Sequence, residues 1–391
     1  AEPSHSSVCE TTHIISSKAM SAYEDFPMPA HYPDYPSHAQ VLEYFRSYAR
    51  HFDLYPYIRF NTRVEHAELQ ADQSWLLRLG DGSVERFDYL LVANGHHHKP
   101  RHPEGVAEAF TGDYYHSHDY KHNRPFVGQR VLVIGSGNSG CDCAVEISRV
   151  AERVDISIRR AQYIIPKFFL GQPTDTFNRY LQYLPEFMAN LARKLALRIQ
   201  VGRYRDYQLP EPDFPVTAAH PTLNSELLYK IRHGKVHPRP AIAQIENRRV
   251  YFKDGSNQEY DAIVAATGYF ISLPFFDPDF VSYEHAERVP LYLRMFHPEH
   301  PTLIFIGLFQ PQGAIWPLSD YQAKLAANYI AGRWQRPANI RELAEADSNY
   351  IAKAFTRSMR HTIEVHYERF RQQLWAQIPK DEPAWVHPVE Q

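Results

Sequence analysis

An α/β protein built from two related halves is what this sequence predicts, on three observations. The stretch from Asp81 to Gly95 aligns without a gap on the stretch from Asp254 to Gly268. An apolar strand, Val131 to Ile134, leads directly into Gly135-Ser136-Gly137-Asn138-Ser139-Gly140 and a helical pattern over 141–150. With 391 residues, 44% of them hydrophobic and 14% aromatic, the chain can build two or three domains with cores of their own.

Each copy of the repeat reads as a strand, a tight Asp-Gly turn, a second strand, and an apolar strand that closes on Ala-x-Gly. The Asp-Gly pair suits a hairpin, because glycine takes the positive φ such turns need. Leu90-Leu91-Val92 and Ile263-Val264-Ala265 are uninterrupted apolar runs, as expected of buried central strands. In the second half, strand, glycine loop, helix and a further strand at 154–158 make the βαβ opening of a dinucleotide-binding domain. Gly135 allows the tight turn, Gly137 lets the backbone approach a pyrophosphate, and Gly140 lets helix and strand pack closely. Backbone amides of Asn138, Ser139, Gly140, Cys141 and Asp142 then face the phosphates, aided by the helix dipole. A plain strand-to-helix turn is the alternative.

The end of the second strand selects the nucleotide. An NAD site places Asp or Glu there for the ribose 2′-hydroxyl; here Ile158 is followed by Arg159-Arg160. Two guanidiniums suit a 2′-phosphate, so NADPH is expected over NADH, unless the arginines simply face solvent. If the halves are related, a second glycine loop belongs ahead of the first hairpin, upstream of Ala1. The missing initiator Met agrees, and the chain reads as a fragment.

Residues 161–220 form an insertion between the second βαβ opening and the second hairpin. Within it 176–205 reads as one helix, with Leu181, Leu184, Phe187, Met188, Leu191, Leu195 and Ile199 at three- and four-residue spacing. Arg179, Arg193, Lys194, Arg198, Arg203 and Arg205 against Glu186 alone make it basic. It is either a core-packing helix with a solvated basic face or a basic amphipathic helix resting on an anionic membrane. The tail 377–391 is polar and reads as a surface end.

Several function classes are excluded. Lys+Arg 42 against Asp+Glu 45 gives −3, with no basic excess for nucleic acid. Three cysteines, Cys9, Cys141 and Cys143, are too few for a disulfide framework and lack zinc spacing. No run of 18 apolar residues spans a membrane, and the polar start lacks a signal-peptide core. Cys141 and Cys143 read as small residues packing on the sheet rather than activated thiols. His96-His97-His98 cannot all converge on one metal, so a solvated loop is expected there.

Between the halves stands Phe110-Thr111-Gly112-Asp113-Tyr114-Tyr115-His116-Ser117-His118-Asp119-Tyr120, of the form FxGxxxHxxxY. With the glycine loop it resembles the flavin-containing monooxygenase family. The resemblance continues from Ser17 to Pro29, Tyr35 to His38, Arg59 to Val64, Ala266 to Tyr269, Ile306 to Gln310 and over 313–322. It implies two Rossmann-like dinucleotide-binding domains of the disulfide-oxidoreductase-like type, for FAD and NADPH, the first truncated at its N-terminus. The expected bounds are 1–125 for the FAD domain, 126–275 for the NADPH domain, and 276–391 for the return to the FAD domain and C-terminal helices. NADPH would reduce the flavin, and a flavin hydroperoxide would pass one oxygen to an amine nitrogen or a sulfide. The partners implied are that small molecule and O2, in a cytoplasmic or membrane-peripheral enzyme, with a homodimer also expected.

By the same resemblance Ile15, Ser16, Lys18, Val64 and Gln310 are FAD-binding candidates, and Ser16 and Ser17 the candidates beside the flavin. Many members carry Asn where this chain has Ile15, so a serine substitutes or the chemistry shifts. Ala93-Asn94-Gly95 stands where Ala-Thr-Gly is usual. His116 and His118 could titrate near neutrality, but the motif His reads as shaping the link between cofactor sites. Phe168-Phe169 and Pro311 to Trp316 could wall a substrate pocket or simply pack a core. A Baeyer–Villiger monooxygenase is the nearest rival, though its signature ends in Trp where this chain has Tyr120. The rival of another class is a catalytically inactive NADP-binding protein.

Overall fold

The computed structural model describes residues 6–181, 184–355 and 362–380. It divides into two compact units, one of Ala1–Ile15 and His97–Phe270, the other of Ser16–His96 and Ile271–Gln391.

In the first unit five parallel strands lie in the order His237–Arg239, Arg153–Ser157, Arg130–Ile134, Ala262–Ala265, Asp113–His116. Successive side chains alternate between the two faces. Val131, Val133, Val154, Ile156 and Val264 pack with Cys141, Ala144 and Ile147 of helix Asn138–Ile147 and with Leu227 and Ile231 of helix Leu227–Arg232. On the other face Leu132 and Ile263 meet Val250, Phe252 and Tyr260. These belong to or adjoin an antiparallel meander of Ile242–Glu246, Arg249–Phe252 and Asn257–Glu259. Cover on both faces is what an all-parallel sheet needs, and it explains the Val/Ile/Leu runs. Among the described residues of this unit, Asp155 is a fully buried carboxylate. Arg153 Nε, Arg239 Nε and the Tyr260 hydroxyl each donate to it at 2.7 Å, which compensates the lost water.

The second unit has its own meander, Val64–Leu69, Trp75–Leu79 and Val84–Phe87, followed by the parallel pair Leu90–Val92 and Leu303–Phe305. Trp75 is fully buried against Phe276 and Phe280, and its indole N–H reaches Thr302 Oγ1 at 3.0 Å. Helices Trp316–Ile330, Ile340–Ala354 and Tyr367–Trp375 contribute to a further core around Phe309, Leu318, Leu325 and Phe370.

The repeat holds at atomic detail. Asp81 Oδ1 accepts from the Ser83 amide (2.9 Å) and hydroxyl (2.7 Å), and Asp254 Oδ1 from those of Ser256 (3.0 and 2.6 Å). Gly82 and Gly255 take φ of +84° and +82°, and Gly95 and Gly268 of +71° and +86°. The copies differ in their last strand. Ala262–Ala265 is buried throughout between two neighbours, whereas Leu90–Val92 pairs with Leu303–Phe305 and leaves Leu91 exposed, against the expectation for that run.

The single helix expected over 176–205 is not formed. Thr174–Leu181 and Glu186–Gln200 are separate helices, with residues 182–183 outside the described ones, and Tyr204–Tyr207 is a short 3-10 turn. Pro185 stands at the N-cap of the second helix, because it lacks the N–H a helix interior requires. In that helix Ala189 and Leu197 are buried. Phe187, Leu191, Leu195 and Ile199 are 74%, 68%, 58% and 73% exposed, which overturns the core-packing reading for them. Among the described residues no helix is long and apolar enough to cross a membrane. Most of the polar tail, 381–391, lies outside the described residues.

Candidate functional site

The glycine loop sits at the carboxyl end of Arg130–Ile134, where the Gly135 amide donates to Ser157 O at 3.0 Å. On one side lies the next strand in the chain, Arg153–Ser157; on the other lies Ala262–Ala265, far along the sequence. Such a reversal in strand order opens a crevice beyond the strand ends, the usual ligand position in an open α/β sheet. Gly135 has φ +104°, and a Cβ on it would stand 2.6 Å from Ala266 O. A Cβ on Gly140 would overlap the carbonyl oxygen of Gly135. Both positions therefore need glycine, for the turn and for close packing. Helix Asn138–Ile147 begins at Gly137 with no side chain capping it. Its first amides thus form a ready anion site.

The loop is held from behind. Thr222 Oγ1 donates to Ser136 O (3.1 Å), Leu223 N to Asn138 Oδ1 (2.7 Å), and Asn224 Nδ2 to Asp142 Oδ1 (2.7 Å). The Asn138 and Asp142 side-chain oxygens are thereby engaged by 222–224, and the Cys141 amide is spent on Gly137 O (3.0 Å). The donors left at the helix start are therefore the amides of Asn138, Ser139 and Gly140, fewer than the run 138–142 expected from the sequence. Cys141 is buried with its Sγ–H on Ser136 O at 3.3 Å, and burial pushes the Cys143 thiol well up. Both cysteines pack, as expected. Arg159 and Arg160 are exposed just past the strand beside the loop strand.

The FxGxxxHxxxY positions fall in the same unit and mostly pack it. Phe110 is buried beneath the meander face. A Cβ on Gly112 would stand 2.5 Å from Asp261 O and 2.7 Å from the Phe110 ring. His116 ends the edge strand, buried, with Nδ1 accepting from the His118 amide at 3.1 Å and its ring near those of His102 (5.2 Å) and Tyr269 (5.4 Å). Burial, and then the neighbouring His102, hold its pKa down to about 4, so it is neutral at pH 7. Tyr120 is buried and stacks on Phe126 at 6.0 Å. His118 is buried with Nδ1 3.1 Å from Asp119 Oδ1.

In the second unit Ser16 Oγ and Ser21 Oγ lie 2.8 Å apart, and Ser17 is buried at the start of the short helix Lys18–Ser21. Lys18 Nζ donates to Ala30 O (2.9 Å) and Tyr32 O (2.5 Å), closing the 18–32 segment on itself. Val64 opens the meander. Gln310 Oε1 lies 3.0 Å from His96 Nε2, and the Gln310 amide donates to Ile363 O at 2.7 Å. His96 is buried in that contact, a correction to the solvated loop expected for 96–98. Ile15 closes the N-terminal segment of the first unit. Of the pocket-wall candidates, Phe168 is exposed, Phe169 packs on Phe177 at 4.6 Å, and Trp316 packs on Phe45 at 4.8 Å. Among the described residues no group of three His, Cys, Asp or Glu side chains could hold a metal ion.

The family model for flavin-binding monooxygenase-like proteins matches residues 1–384. The chain belongs to this flavin-binding monooxygenase family. It is 36% identical to flavin-containing monooxygenase 5 of Mus musculus over 386 residues, 94% of this chain and 72% of that one. It is 33% identical to dimethylaniline monooxygenase [N-oxide-forming] 2 of Cavia porcellus over 400 residues, 96% and 74% of the two chains. Its fold matches that of S-allyl-L-cysteine S-oxygenase from Allium sativum (TM-score 0.70, 22% identity, 95% and 74% covered). It also matches NADP+-bound cyclohexanone monooxygenase from Rhodococcus sp. Phi1 (TM-score 0.68, 16% identity, 93% and 88% covered).

Sequence reasoning on this monooxygenase missed residues 222–224. A signal was present: Asn224 precedes helix Leu227–Arg232, and its Oδ1 accepts from the Glu226 (2.9 Å) and Leu227 (2.7 Å) amides, the Asx turn that Asn favours. It also missed Gln322, fully buried, which accepts from the Gly307 amide (2.8 Å) and donates to Leu293 O (2.9 Å).

Proposed function

We propose that this family member is an NADPH- and FAD-dependent monooxygenase that transfers one oxygen atom to a soft nucleophile, an amine nitrogen or a sulfide. The observation that carries the reading is the glycine cradle at the sheet's crossover, with Arg159 and Arg160 beyond the adjoining strand. A pyrophosphate fits there: Gly135 and Gly140 permit a turn and a helix–strand approach too tight for any Cβ, and the uncapped amides of Asn138, Ser139 and Gly140 at the helix start supply donors. The two arginines supply paired charged hydrogen bonds for a 2′-phosphate. The NADPH domain is accordingly assigned to about 126–275.

FAD is assigned to the second unit, with Ser16, Lys18, Val64 and Gln310 as its contacts. The exposed Ala93-Asn94-Gly95 turn lies past the parallel pair, with Asn94 Nδ2 donating to Ser272 O at 3.1 Å. Among the described residues of that unit there is no loop like 135–140. A bound flavin supplies the oxygen chemistry; the residues of the chain bind, orient and exclude water. No acid/base pair is needed, in keeping with a neutral, buried His116.

Loading the chain with FAD, desalting it, and supplying NADPH with a thioether and a ketone tests this reading. Sulfoxide without ester is the expected product. Ester without sulfoxide would make it a Baeyer–Villiger enzyme, and NADPH binding without oxygen uptake an inactive binding protein.

We further propose a peripheral contact with an anionic membrane through helix Glu186–Gln200. Its exposed Phe187, Leu191, Leu195 and Ile199 and the neighbouring Lys194 and Arg198 have the composition of a helix lying in a lipid interface. Sedimentation with phosphatidylserine vesicles, and not with phosphatidylcholine vesicles alone, is the expected result.

A further inference from the structure

We propose that residues 222–224 position the glycine loop for the dinucleotide, with Asn224 as their anchor. The inference rests on the NADPH reading above and adds residues outside the nucleotide motif.

Each of the three residues grips a different part of the loop. Thr222 holds the strand exit at Ser136 O, the Leu223 amide holds the first helical residue at Asn138 Oδ1, and Asn224 holds the first turn at Asp142 Oδ1. A loop with glycine at 135, 137 and 140 loses much conformational entropy when it orders. A loop already ordered before the ligand arrives spares the ligand that cost, which is preorganisation.

The clasp can do this because it is itself fixed. Thr222 is fully buried and Asn224 nearly so. Thr222–Leu223 runs parallel to Ile164–Ile165, with the Thr222 amide on Tyr163 O (3.1 Å) and the Asn224 amide on Ile165 O (3.0 Å). Asn224 uses both ends of its side chain: Oδ1 takes the Glu226 and Leu227 amides, and Nδ2 reaches Asp142. The exit of the 161–220 insertion is thus bolted to the nucleotide loop.

Asn224→Asp isolates the Asp142 contact. It keeps the oxygen that accepts from Glu226 and Leu227 but sets a carboxylate against Asp142. NADPH titration is expected to show about a tenfold weaker Kd, the size of a charged hydrogen bond lost. The double variant Asp142→Asn with Asn224→Asp restores a donor–acceptor pair with the roles exchanged. It is expected to return the Kd to within about threefold of wild type, a rescue that general destabilisation would not give. Thr222→Val removes one hydroxyl without changing shape, with about threefold weakening expected, and it carries the test if Asn224→Asp does not fold.

Single variants that bind within twofold of wild type, or a double variant no tighter than Asn224→Asp alone, would overturn the inference and leave the NADPH reading intact. A wild-type chain that binds no NADPH would overturn both.

Discussion

Gly140 has no room for one more carbon. A methyl there meets the Gly135 carbonyl, backbone against backbone, so Gly140→Ala is expected to lower unfolding free energy by about 1–3 kcal/mol and to abolish measurable NADPH binding. Thermal melting and NADPH titration check the two halves of that statement. Arg159 and Arg160 do other work: being exposed, they can be removed with little effect on folding. Their joint replacement by Ala is expected to weaken NADPH binding about tenfold or more while leaving NADH almost unchanged. Equal losses for both nucleotides would count against a 2′-phosphate site. His116 gives a pH prediction. Its folded pKa, about 4, lies below the unfolded value of 6.5, so the unfolded chain takes up the proton first as pH falls. The stability tied to neutral His116 is therefore full above pH 6.5 and is lost progressively towards pH 4, at most about 3 kcal/mol. His297, also held at about 4 by burial, acts in the same window. His116→Gln should flatten the fall in unfolding free energy between pH 6.5 and 4, and an unchanged slope would contradict the assignment.

At the scale of elements, helix Glu186–Gln200 separates what spacing can reveal from what it cannot. Its apolar residues recur at helical intervals, and that much was legible. Which face they occupy was not, because the packed face is made by Ala189 and Leu197 while Phe187, Leu191, Leu195 and Ile199 point outward. The break at Pro185 was visible in the sequence but overridden by the periodicity on either side of it. Leu191→Ser and Leu195→Ser are accordingly expected to change unfolding free energy by less than about 0.5 kcal/mol, against about 2–5 kcal/mol for Leu197→Ala. Denaturant melts of the three variants decide it; a large loss at Leu191 would return that residue to a core. The glycine loop and both hairpins were readable because their chemistry is local: Gly at positive φ, and Asp accepting from the Ser two residues on. The 222–224 clasp was not, since its bonds reach residues some eighty positions away and leave no periodic mark.

For the whole molecule, the two-part organisation was legible from the repeat, but the sheet that Asp113–His116 joins was not. The strand Asp113–His116 pairs in parallel with Ala262–Ala265, so it joins the glycine-loop unit, whose second segment begins at His97. A pairing across so many residues is decided by the sheet edge available, which no local pattern encodes. The same pairing carries the FxGxxxHxxxY strand into the unit that holds the nucleotide loop, which gives the motif a structural reason: Gly112 lies against Asp261, and His116 ends the strand. The central proposal is that this chain uses NADPH and FAD to transfer one oxygen atom to a soft nucleophile. Oxygen consumption by the FAD-loaded, desalted chain, recorded on addition of NADPH with a thioether present, tests it most directly. The account predicts consumption that requires NADPH, together with formation of the sulfoxide. NADPH binding without any oxygen consumption, even with FAD in excess, would contradict it.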